Sequence, residues 1–164
     1  MEILYCKKWW FARKRPIDIL DENTACDNHL SGKEYSVIMS ENNNVCYILD
    51  ISLNDVFVNF INSDGEKYLT YAFHRVREDD IFLNAVYFHN YENNKEIEML
   101  IYGFDLNGEL CIEKRNLITG DVEVRENIVD VSCNWDKYPK FADYSNLIIM
   151  GRDLLSEKLN GYEV

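Results

Sequence analysis

From Glu34 to Asn127 the chain repeats one pattern: apolar and polar positions alternate for a short run, and then a polar break follows. The runs are EYSVIMS (34–40), VCYILDI (45–51), DVFVNFI (55–61), YLTYAFHRVR (68–77), IFLNAVYFHNY (81–91), EIEMLIYGFD (96–105), ELCIEKRN (109–116) and VEVREN (122–127). Period-two alternation over such lengths predicts β-strands with one dry and one wet face. The breaks carry turn chemistry: ENNN, NSDGEK with Asp64-Gly65, ENNK, and Leu106-Asn107-Gly108. Asn-Gly and Asp-Gly tolerate positive φ, and Asn107-Gly108 predicts a type I′ hairpin turn. Short strands joined by short turns pair as antiparallel neighbours. About eight of them predict a mainly β fold, an antiparallel meander forming a β-sandwich or an up-and-down barrel. No βαβ spacing is present, which argues against a parallel sheet.

The ends read differently. PIDILDENTACDNHLSGK (16–33) is polar and irregular, with room for a short helical turn. Towards the C-terminus, Asp143 or Ser145 offers a helix cap, and Leu147, Met150, Leu154 and Leu155 share a helical face. This predicts a short peripheral helix over about 145–158, although Gly151 weakens it and NLIIM also fits a final strand.

A chain of 164 residues with 47% hydrophobic and 13% aromatic residues can bury a real core, and it has neither a linker composition nor an internal repeat. One β-rich domain over residues 1–164 is expected. The formal net charge is −12, unevenly spread. Residues 1–15 hold five basic groups and one acid, leaving twelve basic and twenty-eight acidic residues for the rest. An acidic body repels nucleic acid and anionic membrane and attracts basic partners. Five cysteines, Cys6, Cys26, Cys46, Cys111 and Cys133, are scattered with no CxxC pair, as expected of reduced thiols in a cytoplasmic protein. No apolar run suits a signal peptide or a membrane helix.

Catalytic patterns are lacking. GxSxG, Walker, GxGxxG and HExxH motifs do not occur. His74 and His89 fall on neighbouring strands and would face each other across a hairpin, near Asp79 and Asp80, but spacing supplies no third metal ligand. GFDLNGEL resembles a calcium loop only in its first residues; the twelfth position would be Asn116 rather than Glu. No catalytic residue, metal or cofactor is therefore expected. The aromatic, basic opening LYCKKWWFARKRP suits a nucleic-acid arm or a membrane anchor in isolation, but the acidic body opposes both. As a first strand it places Ile3, Tyr5, Lys7 and Trp9 on one side and Leu4, Cys6, Lys8 and Trp10 on the other, so one tryptophan stays partly exposed. Exposed tryptophans anchor interfaces. The candidate contact residues are Trp9, Trp10 and Trp135, with three acidic groups: Glu78-Asp79-Asp80, Asp64 with Glu66, and Asp121 with Glu123 and Glu126.

Size, acidic excess, Asn-rich turns and the meander from EYSVIMS to VEVREN together resemble the immunity proteins of contact-dependent growth inhibition and related bacterial polymorphic toxin systems. The resemblance implies a non-enzymatic cytoplasmic inhibitor. It would bind a cognate toxin domain, a basic nuclease such as one of the EndoU ribonuclease type, and cover its active site. Carboxylates would stand in for phosphates while an aromatic anchor fills a pocket. The alternative is a lipocalin-like barrel carrying a small apolar ligand. A third reading, a hydrolase using His74 and His89, predicts strong loss of activity on substituting either histidine.

Overall fold

The computed structural model describes residues 1–150. Eleven antiparallel strands form one sheet: β1 Glu2–Trp10, β2 Arg15–Leu20, β3 Tyr35–Glu41, β4 Asn44–Ile51, β5 Asp55–Ile61, β6 Lys67–Arg75, β7 Asp80–Glu92, β8 Lys95–Phe104, β9 Glu109–Asn116, β10 Val122–Ile128 and β11 Trp135–Lys137. The order across the sheet is β10-β9-β8-β7-β6-β5-β4-β3-β1-β2, with β11 added to β7. The meander is thus as the alternation predicts. It does not close into a barrel: among the described residues β2 and β10 are edge strands of the same sheet.

Two of the tight turns owe their shape to asparagine. Asn42-Asn43 and Asn93-Asn94 all have positive φ, the signature of type I′ turns in two-residue hairpins. The Asn107-Gly108 turn differs from expectation. Only Gly108 has positive φ (91°), because Asp105 Oδ1 accepts the Asn107 and Glu109 N–H groups and winds a wider loop. Gly108 is required there, since a Cβ would sit 2.3 Å from the Val129 carbonyl oxygen.

The core lies on one side of the sheet. Tyr35, Val37 and Met39 of β3, Val56, Val58 and Phe60 of β5, Leu69, Tyr71 and Phe73 of β6, and Tyr102, Leu110 and Ile112 further along all turn inward. Helix α1, Glu22–Ser31, and the segment after β11 cover this face through Ala25, Tyr144 and Leu147. Residues 16–33, irregular by sequence, hold both β2 and α1. The Asp21 carboxylate accepts the Thr24 N–H at 2.8 Å and caps the helix, and Gly32 (φ 72°) ends it. At the C-terminal end, residues 145–150 form turns rather than the expected helix; the remainder of that predicted element lies outside the described residues.

The opening segment is a hairpin bent back over the other face. The β1–β2 ladder is regular on both sides of Lys7 and Asp18 but skips that pair, and Asp18 has φ 51°. The interruption swaps the faces of the strand beyond it. Cys6 and Trp9, on opposite sides of a regular strand, therefore share one cluster with Ile38, Ile48 and Ile61, against which Phe11 and Val45 pack. The tip reaches the β5–β6 turn, where the Lys14 ammonium donates to the Asp64 carbonyl at 2.6 Å and to the Glu66 carboxylate at 2.7 Å. Trp9 is 8% exposed, so its expected role as a contact anchor is corrected: it is a core residue.

Magnitudes decide what holds the hairpin down. Removing a buried tryptophan costs about 3–5 kcal/mol, whereas a half-exposed ion pair contributes about 0–1 kcal/mol. Trp9→Ala is therefore expected to lower unfolding stability by about 3–5 kcal/mol in urea titrations, and Lys14→Met by less than about 1 kcal/mol. Equal losses would mean that the tip is clamped by charge rather than by the tryptophan.

Candidate interaction surfaces

The side of the sheet away from the main core carries a polar chain that crosses six strands. Ser36 Oγ donates to Asp50 Oδ1 (2.5 Å), and Asn59 Nδ2 donates to Asp50 Oδ2 (3.3 Å) and to the Ile48 carbonyl (3.0 Å). Thr70 Oγ1 then bonds Asn59 Oδ1 (3.0 Å) and His89 Nε2 (3.2 Å), and His89 Nδ1 meets Glu96 Oε1 at 2.6 Å. Ser36, Asn59, Thr70 and His89 are all buried. Burial pushes the Asp50 carboxyl up, with its hydrogen bonds to Ser36 and Asn59 and the charges of Lys8 and Lys67 opposing. Burial pushes His89 down, with Glu96 opposing. This chain satisfies polar groups inside the sheet.

The two histidines do not meet. His74 stands opposite Phe82, and its Nδ1 bonds Asp55 at 2.8 Å in solvent. His89 follows Phe88, which opposes Leu69 at the other end of β6. Among the described residues no cluster of three or more His, Cys, Asp or Glu side chains is arranged to hold a metal ion. All five cysteines are free thiols; burial pushes the Cys6 thiol up to about 11.

The expected contact residues fall into three separate places. Trp10 is 39% exposed at the hairpin tip, under the guanidinium groups of Arg13 and Arg15 (5.0 and 5.6 Å). Asp64 and Glu66 lie at that same tip, engaged by Lys14. Trp135, 37% exposed, packs on Phe82 at the opposite end of the sheet. The Glu78-Asp79-Asp80 turn is its neighbour, because β11 pairs with the start of β7. One of the turn's three carboxylates, Asp80, is paired. Lys137 donates to Asp80 at 2.5 Å, holding its carboxyl below the usual range, and Arg77 lies over Trp135. Asp121 and Glu123 sit apart from both, at the start of the β10 edge.

A fourth place was not singled out by sequence. Gly103, Cys111 and Glu126 are paired neighbours on β8, β9 and β10, and the missing side chain at Gly103 opens a trough of about 610 Å3. Phe104, Leu110 and Ile128 add apolar lining, and Asp105, Glu109 and Glu126 supply three carboxylates with no Lys or Arg among the lining residues. The hydrogen bonds that Asp105 accepts from Glu109 and Asn107 lower its carboxyl below the usual range, which keeps it ionised. Its sequence signal was the hairpin turn itself, which places Asp105 and Glu109 side by side.

On the core side, α1 is tied down by aromatic hydroxyls. His29 Nδ1 bonds the Tyr35 hydroxyl at 2.9 Å, which meets the Tyr144 hydroxyl at 3.3 Å, and Tyr138 and Phe141 flank the imidazole. Comparison with family models, curated proteins and solved structures gives no match.

Burial pushes His29 below its ordinary 6.5, with the Arg75 charge adding and the Pro139 backbone opposing. The folded chain therefore keeps His29 neutral where the unfolded chain binds a proton, so stability is full above pH 6.5 and falls as pH drops through the folded value. His89 acts in the same direction, and Asp50, with its raised carboxyl, in the opposite one. Thermal unfolding followed from about pH 7.5 to about pH 5.5 should show the Tm of His29→Gln falling less than that of the parent. Parallel curves would remove His29 from the acid response.

Proposed function

We propose that this protein is a stoichiometric inhibitor of the immunity type, which binds a basic toxin domain and blocks its active site. The observation that carries the reading is the trough between β8 and β10: three carboxylates, Asp105, Glu109 and Glu126, around an apolar floor, with no cation lining it. Such a surface favours an arginine- or lysine-rich partner, gains speed of association from the net charge of −12, and rejects nucleic acid. A nuclease active site is a partner of that kind, since it is built to hold phosphate. The carboxylates would occupy the positions of phosphates, and Ile128, 78% exposed beside them, would contribute apolar contact. The side chains that a carrier would need to displace are fully buried: Tyr35, Tyr71, Phe60 and Phe73 fill the main core. This favours inhibition over transport of an apolar ligand.

The test is co-expression. The C-terminal domain encoded by the reading frame immediately upstream is expressed alone and then together with this protein. Growth arrest that this protein relieves supports the reading; a harmless upstream domain, or arrest that persists, opposes it. The double variant Glu109→Lys, Glu126→Lys is expected to weaken capture of that domain on the order of 10–100-fold at unchanged thermal stability, and added salt to weaken capture by the parent. Salt-independent capture would sink the electrostatic mechanism.

A further inference from the structure

The two edges of the sheet are treated differently. On β2, Pro16 removes one N–H and the Asp18 interruption breaks the strand, two devices that stop further pairing. On β10 there is neither. Its seven residues pair with β9 without a register shift, no strand among the described residues pairs with its outer side, and Val122 and Val124 are each 54% exposed. The backbone bonds Asn116 N–H to Asp121 O and Val129 N–H to Gly108 O fix the phase of the ladder. Asp121, Glu123, Arg125, Asn127 and Val129 turn their backbone groups to β9, and Val122, Val124, Glu126 and Ile128 turn theirs outward. The Ile128 N–H is taken by the Asn127 side chain at 2.8 Å. The open template is therefore Val122–Glu126.

That template is complementary to itself. We propose that β10 is a dimerisation strand, pairing antiparallel with β10 of a second copy so that Val124 faces its own counterpart across a two-fold axis. In this register Val122 and Glu126 exchange hydrogen bonds with Glu126 and Val122 of the other copy, using only outward-facing groups. Glu123 then lies opposite the second copy's Arg125, twice over, at the non-hydrogen-bonded positions where side chains come closest. Neither Glu123 nor Arg125 has an ion-pair partner among the described residues. Sliding one copy by two residues sets Glu123 against Glu123 or Arg125 against Arg125 and loses both Glu123–Arg125 pairs, so charge favours the register centred on Val124 within the template Val122–Glu126. The axis is perpendicular to the sheet, which leaves the two acidic troughs on the same face of a continuous sheet. A ladder of five residues is smaller than a standard interface, so the dimer is reversible, dissociating on the order of micromolar concentration.

The experiment reads the mass of the purified chain by sedimentation velocity over a concentration series, with circular dichroism to confirm folding, and it needs no toxin. A concentration-dependent dimer is expected for the parent. Glu123→Arg and Arg125→Glu should each weaken it on the order of tenfold or more, because each places like charges opposite one another. The double exchange Glu123→Arg, Arg125→Glu should restore it. Val124→Pro should give a folded monomer, since its N–H faces away from β9. A parent that stays monomeric throughout the series would overturn the proposal. So would a dimer indifferent to the single charge reversals, or one that the double exchange fails to rescue.

Discussion

A single sheet has two faces to keep dry, and the rest of the structure answers that constraint. One face is served by the larger cluster, closed by α1 and by Tyr144 and Leu147. The other face has no comparable layer. It is covered where Trp9 folds back across Ile38, Ile48 and Ile61, and elsewhere it is lined by polar groups that satisfy one another from Ser36 to Glu96. An unpartnered buried polar group costs about 1–3 kcal/mol, so that line of bonds is as necessary as the apolar packing beside it. The interruption at Lys7 and Asp18 is the local device that makes the arrangement fit, because without it Trp9 would point to the wrong side.

The opening basic segment thereby loses the character it has in isolation. Lys14 rests on the Asp64–Glu66 turn and Lys7 on Asp18, while Arg13 and Arg15 stack on Trp10. Cationic groups that read as an arm for an acidic polymer are engaged within the chain. The uncompensated charge of the rest of the molecule is left to face solvent, most plainly around the trough at β8–β10.

Most strands were legible because alternation reports a half-buried sheet directly: β3 to β10 begin and end within a few residues of the predicted runs. Residues 16–33 were not, because β2 is an edge strand whose apolar positions stay largely exposed, and α1 buries only Ala25 and Asn28. The cap at Asp21 and the stop at Gly32 were present as letters but weak without an apolar stripe between them. The face of Trp9 was illegible for a different reason: strict alternation assumes an unbroken ladder, and the β1–β2 ladder is interrupted at Lys7 and Asp18. The site fared similarly. Acidic residues on turns could be named, but whether Lys137 would neutralise Asp80, or Gly103 would open a trough beside Glu126, depends on strand register. The polar chain across six strands depends on it too; Ser36, Asp50, Asn59, Thr70 and His89 read only as isolated polar residues inside apolar runs.

The strand order also bears on how such a sheet assembles. From β3 to β10 every strand lies beside its neighbour in sequence, so each new pairing closes a loop of only a few residues. Among the described residues two strands break the rule: β1 enters between β2 and β3 and pairs with a strand some thirty residues away, and β11 pairs with β7 across some fifty. A chain built this way can add strands in order, with little loop entropy to overcome at each step, and belongs among the faster-folding β proteins. The slow event would be the docking of the first hairpin, which joins the β1–β3 pairing to the burial of Trp9 on the far side of the sheet.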